Sequence, residues 1–215
     1  MVRPVLDPIF CFAPNRDTLG GTAYFVLDSV AGNLLIDCPA LTDENQAFLN
    51  QHGVDKIVIT HRDGIGQIRR LQEQFACPLF IQEQEAYKLL NLPRQTFHQH
   101  QPLGAGAELI WTPGYSPGST CVYLPQQGGI LFTGRHLLPD TSGQPKPLRL
   151  AKTFHWYRQL ESVAKLRDRF DSQTLAYICP GANTGFLRGA KVIDSAYNHL
   201  QNLDLEQERC RTVPI

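Results

Sequence analysis

The sequence predicts a mixed α/β chain built as one domain over residues 1–215. The expected architecture is a four-layer αβ/βα sandwich, two β-sheets face to face with helices on their outer surfaces. Three observations predict it. Strand-like runs followed by helix-like runs occur twice in that order, which the one-for-one alternation of a doubly wound parallel sheet would not produce. Each cluster of strands is accompanied by segments whose apolar residues recur at helical spacing. Finally, 215 residues suffice to bury a sizeable core without disulfide or metal staples.

The first strands are PIFCFAP, TAYFVLDSV and NLLIDCP, separated by Asn15, Gly20, Gly21 and the Ala31-Gly32-Asn33 stretch, and they read as an opening antiparallel meander. Leu41-Thr42-Asp43-Glu44 offers an N-cap with acid in the first turn, and Gly53 stops the short helix that follows. Lys56 to Thr60 has a buried-strand pattern, and IGQIRRLQEQFA carries Ile65, Ile68, Leu71 and Phe75 on one helical face. PLFIQ and EQEAYKLL repeat that strand and helix. The proline-bearing stretch NLPRQTFHQHQPLG is expected to be a polar loop that closes the first half near residue 104. The second half opens with AELIWTP, TCVYLPQ and GILFTG, the latter two joined by a turn at Gln127, Gly128 and Gly129. A loop from Pro139 to Pro147 leads to a helix whose apolar stripe is Trp156, Leu160, Val163, Leu166 and Phe170. A strand LAYICPG and a terminal helix around GFLRGAKVIDSAYNHLQNL complete the chain.

Lys plus Arg and Asp plus Glu both number 20, so the formal charge is zero. No broad field draws the chain to polyanions, and neither nucleic acid nor a membrane is an expected partner. The six cysteines form no CxxC pair, and several lie in apolar runs such as PIFCF and AYICP, which points to buried free thiols in a reducing compartment. The N-terminal stretch contains Asp7 and two early prolines, so it reads neither as a signal peptide nor as a membrane span. The expected location is cytoplasmic; a removed transit peptide would leave the same sequence.

Four segments in order carry a resemblance: NLLIDCP, IVITHRDGIG, TPGYSPGST with LFTGRHL, and ICPGANTG, together spanning residues 33 to 185. They resemble the metallo-β-lactamase superfamily, in which an Asp-containing turn is followed by Thr-His-x-His-x-Asp-His, Thr-Pro-Gly-His-Ser-Pro-Gly, Phe-Thr-Gly-Asp and Pro-Gly-His. The turn-forming glycines and prolines are present, whereas most ligand positions are replaced. Thr60-His61 keeps the first His. Read without a gap, Asp63 falls at the second His and Ile65 and Gly66 at the Asp and third His; with a gap, Asp63 is the family Asp and Gly64 takes the following His. Tyr115, Arg135 and Ala182 occupy the remaining His, bridging Asp and last His places.

A hydrolytic zinc site needs about three protein ligands per metal and an open position for water. The resemblance leaves His61 and Asp63, with His136 beside Arg135 as a further candidate. Arg135 brings a permanent cation to the place of a dication, which opposes metal binding. The resulting expectation is a non-hydrolytic pseudoenzyme with a degenerate metal site and no cofactor. It would bind a small molecule or a protein partner in a remodelled cleft of His61, Asp63, Tyr115, Arg135, His136 and Ala182. The alternative is an atypical hydrolase of a small ester, thioester or phosphoester, with zinc or iron in a partial site or with metal-free chemistry. Since the family positions of Arg135 and Asp63 converge on one ion, a guanidinium–carboxylate pair between them is expected, with the Tyr115 hydroxyl donating to the same carboxylate.

Other residues favour structural readings. His98 and His100 form an HxH pair without an evident third ligand, and Ser116 and Ser119 flank a Pro-Gly turn without the Gly-x-Ser-x-Gly pattern of a nucleophile elbow. Cys121 opens a strand and reads as a buried thiol, and Trp156 belongs to an apolar stripe although His155 and Tyr157 flank it. The 139–155 loop is a candidate cleft wall, by family resemblance.

Overall fold

The computed structural model describes residues 2–28 and 30–210. Seven strands form the first sheet in sequence order: β1 (Arg3–Leu6), β2 (Ile9–Cys11), β3 (Tyr24–Val26), β4 (Leu34–Ile36), β5 (Lys56–Ile59), β6 (Leu79–Gln82) and β7 (Gln95–Phe97). Their first three pairings are antiparallel and the last three parallel. The second sheet contains β8 (His100–Gly104), β9 (Ala107–Trp111), β10 (Thr120–Leu124) and β11 (Ile130–Gly134) as an antiparallel run. A short ribbon of β12 (Leu138–Pro139) and β13 (Pro145–Lys146) follows, and β14 (Tyr177–Pro180) then joins the second sheet parallel to β11.

Alternation along the strands builds three cores. Tyr24, Val26, Leu34, Ile36 and Val58 meet Leu109, Val122, Ile130 and Phe132 between the sheets. Their neighbours Phe25, Leu35, Ile57 and Ile59 face the opposite way, onto Leu49 of α1 (Asp43–His52) and Ile68 and Leu71 of α2 (Ile68–Phe75). Cys121, Leu131 and Ile178 face Val163 and Leu166 of α3 (Trp156–Arg169) and Ala196 and Leu200 of α4 (Ala196–Gln201). The layers are helix, sheet, sheet, helix, as expected from the order of elements.

The α1 boundaries follow local chemistry: the Thr42 hydroxyl accepts from Asn45 N, and Gly53 at φ 74° ends the helix. Elsewhere the expectations need correction. The stretch expected to be a polar loop holds the whole of β7 and β8; its polarity and Pro102 suit strands at sheet edges, where one side meets solvent. EQEAYKLL forms a 3-10 turn (Glu83–Leu89), the expected terminal helix is broken into a 3-10 turn (Thr184–Leu187) and the short α4, and α5 (Leu205–Arg209) follows beyond it. β1 precedes the expected meander, and the Pro139–Pro147 loop carries the β12–β13 ribbon. Five cysteines are buried as expected, while Cys210 is exposed. Among the described residues no helix is long and apolar enough to cross a membrane.

Candidate functional site

The motif residues gather where the parallel strands end. Asp37 follows β4, Thr60 and His61 follow β5, Arg135 and His136 follow β11, and Gly181 and Ala182 follow β14. Gly181 N donates to Gly134 O at 2.7 Å, and a Cβ at Gly181 would lie 2.7 Å from Gly134 Cα. A Cβ at Gly134 (φ 50°) would stand 2.4 Å from Thr60 Oγ1. Only glycine permits this approach between the two sheets.

At the centre, the buried Asp37 carboxyl accepts from Thr60 N at 2.8 Å and from Thr60 Oγ1 at 2.6 Å. With its proton given to Asp37, Thr60 Oγ1 accepts from His61 Nδ1 at 3.0 Å, which assigns the His61 proton to Nδ1. Nε2 of His61 is then a buried lone pair with no partner among the described residues. Burial pushes the Asp37 carboxyl up to about 6, against the pull of Thr60 and Arg135. Burial, then the Arg135 charge, holds the His61 imidazole well below its ordinary range and therefore neutral.

Tyr115, 1 % exposed, packs its ring 5.3 Å from that of His61 and donates its hydroxyl to Asp63 Oδ2 at 2.5 Å. Partial burial drives the Asp63 carboxyl upward, but the Tyr115 hydroxyl, His61, Lys152 and Arg62 outweigh it and hold the group below its usual range. Burial and the Asp63 contact raise the phenol of Tyr115, which stays protonated.

Arg135 corrects the expected pairing. Among the described residues it forms no ion pair with Asp63; its Nη2 donates instead to the carbonyls of Thr18 (3.1 Å) and Leu19 (2.7 Å). Leu19 adopts the left-handed conformation that ends the 3-10 turn Arg16–Thr18. Asp63 lies in a different 3-10 turn (Arg62–Gly64), half-buried beside Arg62 and Lys152. Two carbonyls hold one end of the guanidinium, its Nη2, while its buried Nε has no hydrogen-bond partner among the described residues; Asp63 stays in the partly wet turn, where its carboxylate avoids full desolvation. His136 is buried with both ring nitrogens unpartnered among the described residues, and burial alone lowers its pKa to about 3. Ala182 is 2 % exposed and supplies no donor atom. The cleft interior is thus filled by side chains.

These residues do not fit a catalytic metal. His61 Nε2 offers one lone pair, Asp63 is engaged by Tyr115, and Arg135 sets a fixed cation near His61. Among the described residues no three His, Cys, Asp or Glu side chains are grouped to hold an ion.

Of the 139–155 loop, the end meets the site: Phe154 N and His155 N donate to the carbonyls of Tyr115 (3.0 Å) and Gly114 (2.9 Å). Ser116 and Ser119 are buried and bonded to each other at 3.0 Å, a turn role. His98 pairs with Glu83 and His100 with Glu108, so the HxH pair divides between two carboxylates; His100 opens β8 and does not sit in a loop. Trp156 donates Nε1 to Glu208 O in the core, and Cys121 is a buried thiol. No motif marked Glu85, a buried carboxyl that accepts from Gly118 N at 3.2 Å beneath the Pro-Gly turn and is pushed up by burial.

No family model matches the chain. No curated protein matches it either. Solved structures do. BLEG-1 B3 metallo-beta-lactamase superposes with a TM-score of 0.61 at 18 % identity, over 81 % of this chain and 91 % of that one. A metallo-beta-lactamase family protein from Thermus thermophilus gives 0.63 at 16 %, over 96 % and 81 %. A protein solved in a di-iron-bound form gives 0.59 at 22 %, over 77 % and 88 %. The chain has the metallo-β-lactamase fold.

Proposed function

We propose that this chain, read as one domain over residues 1–215, is a non-hydrolytic protein of the metallo-β-lactamase fold that acts by binding. One observation carries the reading. Tyr115 and Arg135, at places the resemblance assigns to metal ligands, are buried and bonded within the protein, to Asp63 and to the Thr18 and Leu19 carbonyls. A catalytic cleft needs an open coordination position and room for substrate. Here the interior is packed, which favours a protein partner at the rim over a small molecule inside. Neither nucleic acid nor a membrane belongs to this reading.

The second reading, an atypical hydrolase of a small ester, thioester or phosphoester, draws on the unpartnered His61 Nε2 and on hydrolases sharing the fold. One experiment separates them. Protein purified from zinc-, iron- and manganese-supplemented medium is assayed for metal by elemental analysis and for turnover of ester, thioester and phosphoester substrates. The binding reading expects substoichiometric metal and no turnover; about one metal per chain with turnover that a chelator abolishes overturns it.

A further inference from the structure

We propose that the exposed face of residues 146–158, on the rim of the filled cleft, is a docking surface for an acidic protein segment bearing apolar side chains. The proposal rests on the binding reading and names its partner class.

Charge is the first argument. The chain is neutral overall, yet residues 141–160 contain Lys146, Arg149, Lys152 and Arg158 and no Asp or Glu. Lys146 is matched by Asp140 at 3.4 Å, and Arg149 lies over the Trp156 ring at 5.9 Å. Lys152 and Arg158 are exposed and make no ion pair among the described residues. Arg62 joins them, its Nη2 donating to Lys152 O at 3.1 Å. Asp63, the acid beside them, is already held by Tyr115, and Glu161 one turn along α3 bounds the patch.

Apolar area is the second. Phe154 is 49 % and Tyr157 55 % exposed, and the His155 ring lies 6.4 Å from each. Exposed aromatics beside unpaired cations form the anchor-and-rim composition of protein interfaces. The backbone beneath them is tied down, because Phe154 and His155 donate to the Tyr115 and Gly114 carbonyls and the Thr153 hydroxyl accepts from Leu150 N at 2.9 Å. A surface already ordered loses little entropy on binding. Carboxylates complement these cations and apolar side chains cover the rings. A nucleic acid would need an extended cationic track, which a neutral chain with one short basic segment does not supply.

The test uses the full chain and a fluorescein-labelled synthetic peptide of Asp and Glu interrupted by two Phe, followed by anisotropy at low and high ionic strength. A Lys/Phe peptide and a single-stranded oligonucleotide are the comparison probes. The expected result is binding of the acidic peptide that weakens with salt and falls about tenfold in Lys152→Glu with Arg158→Glu. Phe154→Ala with Tyr157→Ala should weaken it comparably while leaving the salt dependence unchanged. All four side chains are exposed, and the urea midpoint of each variant checks folding. No binding, binding indifferent to both variants, or tighter binding of the oligonucleotide overturns the proposal. Metal and turnover are measured on the same preparation: missing peptide binding in a metal-free, inactive protein sinks the docking surface alone. Stoichiometric metal with turnover sinks the parent reading instead.

Discussion

The Tyr115 hydroxyl donates to Oδ2 of Asp63 at 2.5 Å, joining two loops whose residues are 52 positions apart. That bond does between neutral phenol and carboxylate what a shared ion does between ligands. It holds the β5 loop against the Pro-Gly turn, and because it lies at the half-buried edge of the site it can be removed without collapsing the core.

Tyr115→Phe should therefore lower stability by about 1–2 kcal/mol, the range for a hydrogen bond to a charged group that keeps some solvent. The Asp63 carboxyl, now held low, should titrate closer to an ordinary aspartate. Its folded pKa is depressed, so its contribution is present above the unfolded pKa and lost as pH falls through the folded one. Carboxyl-carbon NMR with urea unfolding checks both, and an unmoved Asp63 resonance would refute the assignment.

Arg135→Ala removes two hydrogen bonds to Thr18 and Leu19 and should cost about 2–3 kcal/mol. Since Arg135 and Asp63 form no ion pair and meet only through their shared neighbours His61 and Tyr115, Arg135→Ala and Asp63→Ala should couple by no more than about 1 kcal/mol. A double-mutant cycle showing strong coupling would restore the guanidinium–carboxylate pair.

Asp37 gives the fold a preference for lower pH. Its folded pKa is raised from 3.8 to about 6, so the stability it contributes is full below 3.8 and lost as pH rises through about 6, a swing of about 3 kcal/mol. Asp37→Asn keeps an acceptor for Thr60 N, and asparagine tolerates the φ of 61°. Denaturant midpoints across that window should be flatter for the variant, and parallel curves would contradict the burial argument.

His136 acts in the opposite sense. With its folded pKa lowered to about 3, its contribution is present above 6.5 and is lost as pH falls from there towards 3. Because both ring nitrogens are buried without partners among the described residues, His136→Leu should gain about 1 kcal/mol at neutral pH and resist acid better. A destabilised variant would mean that those nitrogens are satisfied in solution.

Much of the fold is legible in local patterns. The α1 caps at Thr42 and Gly53, the β3 and β4 alternation and the α3 stripe are each set by neighbours a few residues away. The β7 and β8 strands were not legible, because an edge strand needs only one hydrogen-bonded side and so tolerates polar residues and Pro102. In the site, the replaced motif letters name Tyr115, Arg135 and Ala182, but nothing in them orients a side chain. Glu85 carries no motif at all.

By itself, then, the sequence determined the layered architecture and which residues meet at one end of it, since both follow from periodicity and from turn-forming glycines and prolines acting over short distances. Only the tertiary structure decided that Arg135 reaches Thr18 and Leu19 and leaves Asp63 to Tyr115. That choice turns on Leu19 being held left-handed and on Asp63 keeping partial contact with water, two consequences of how distant loops pack.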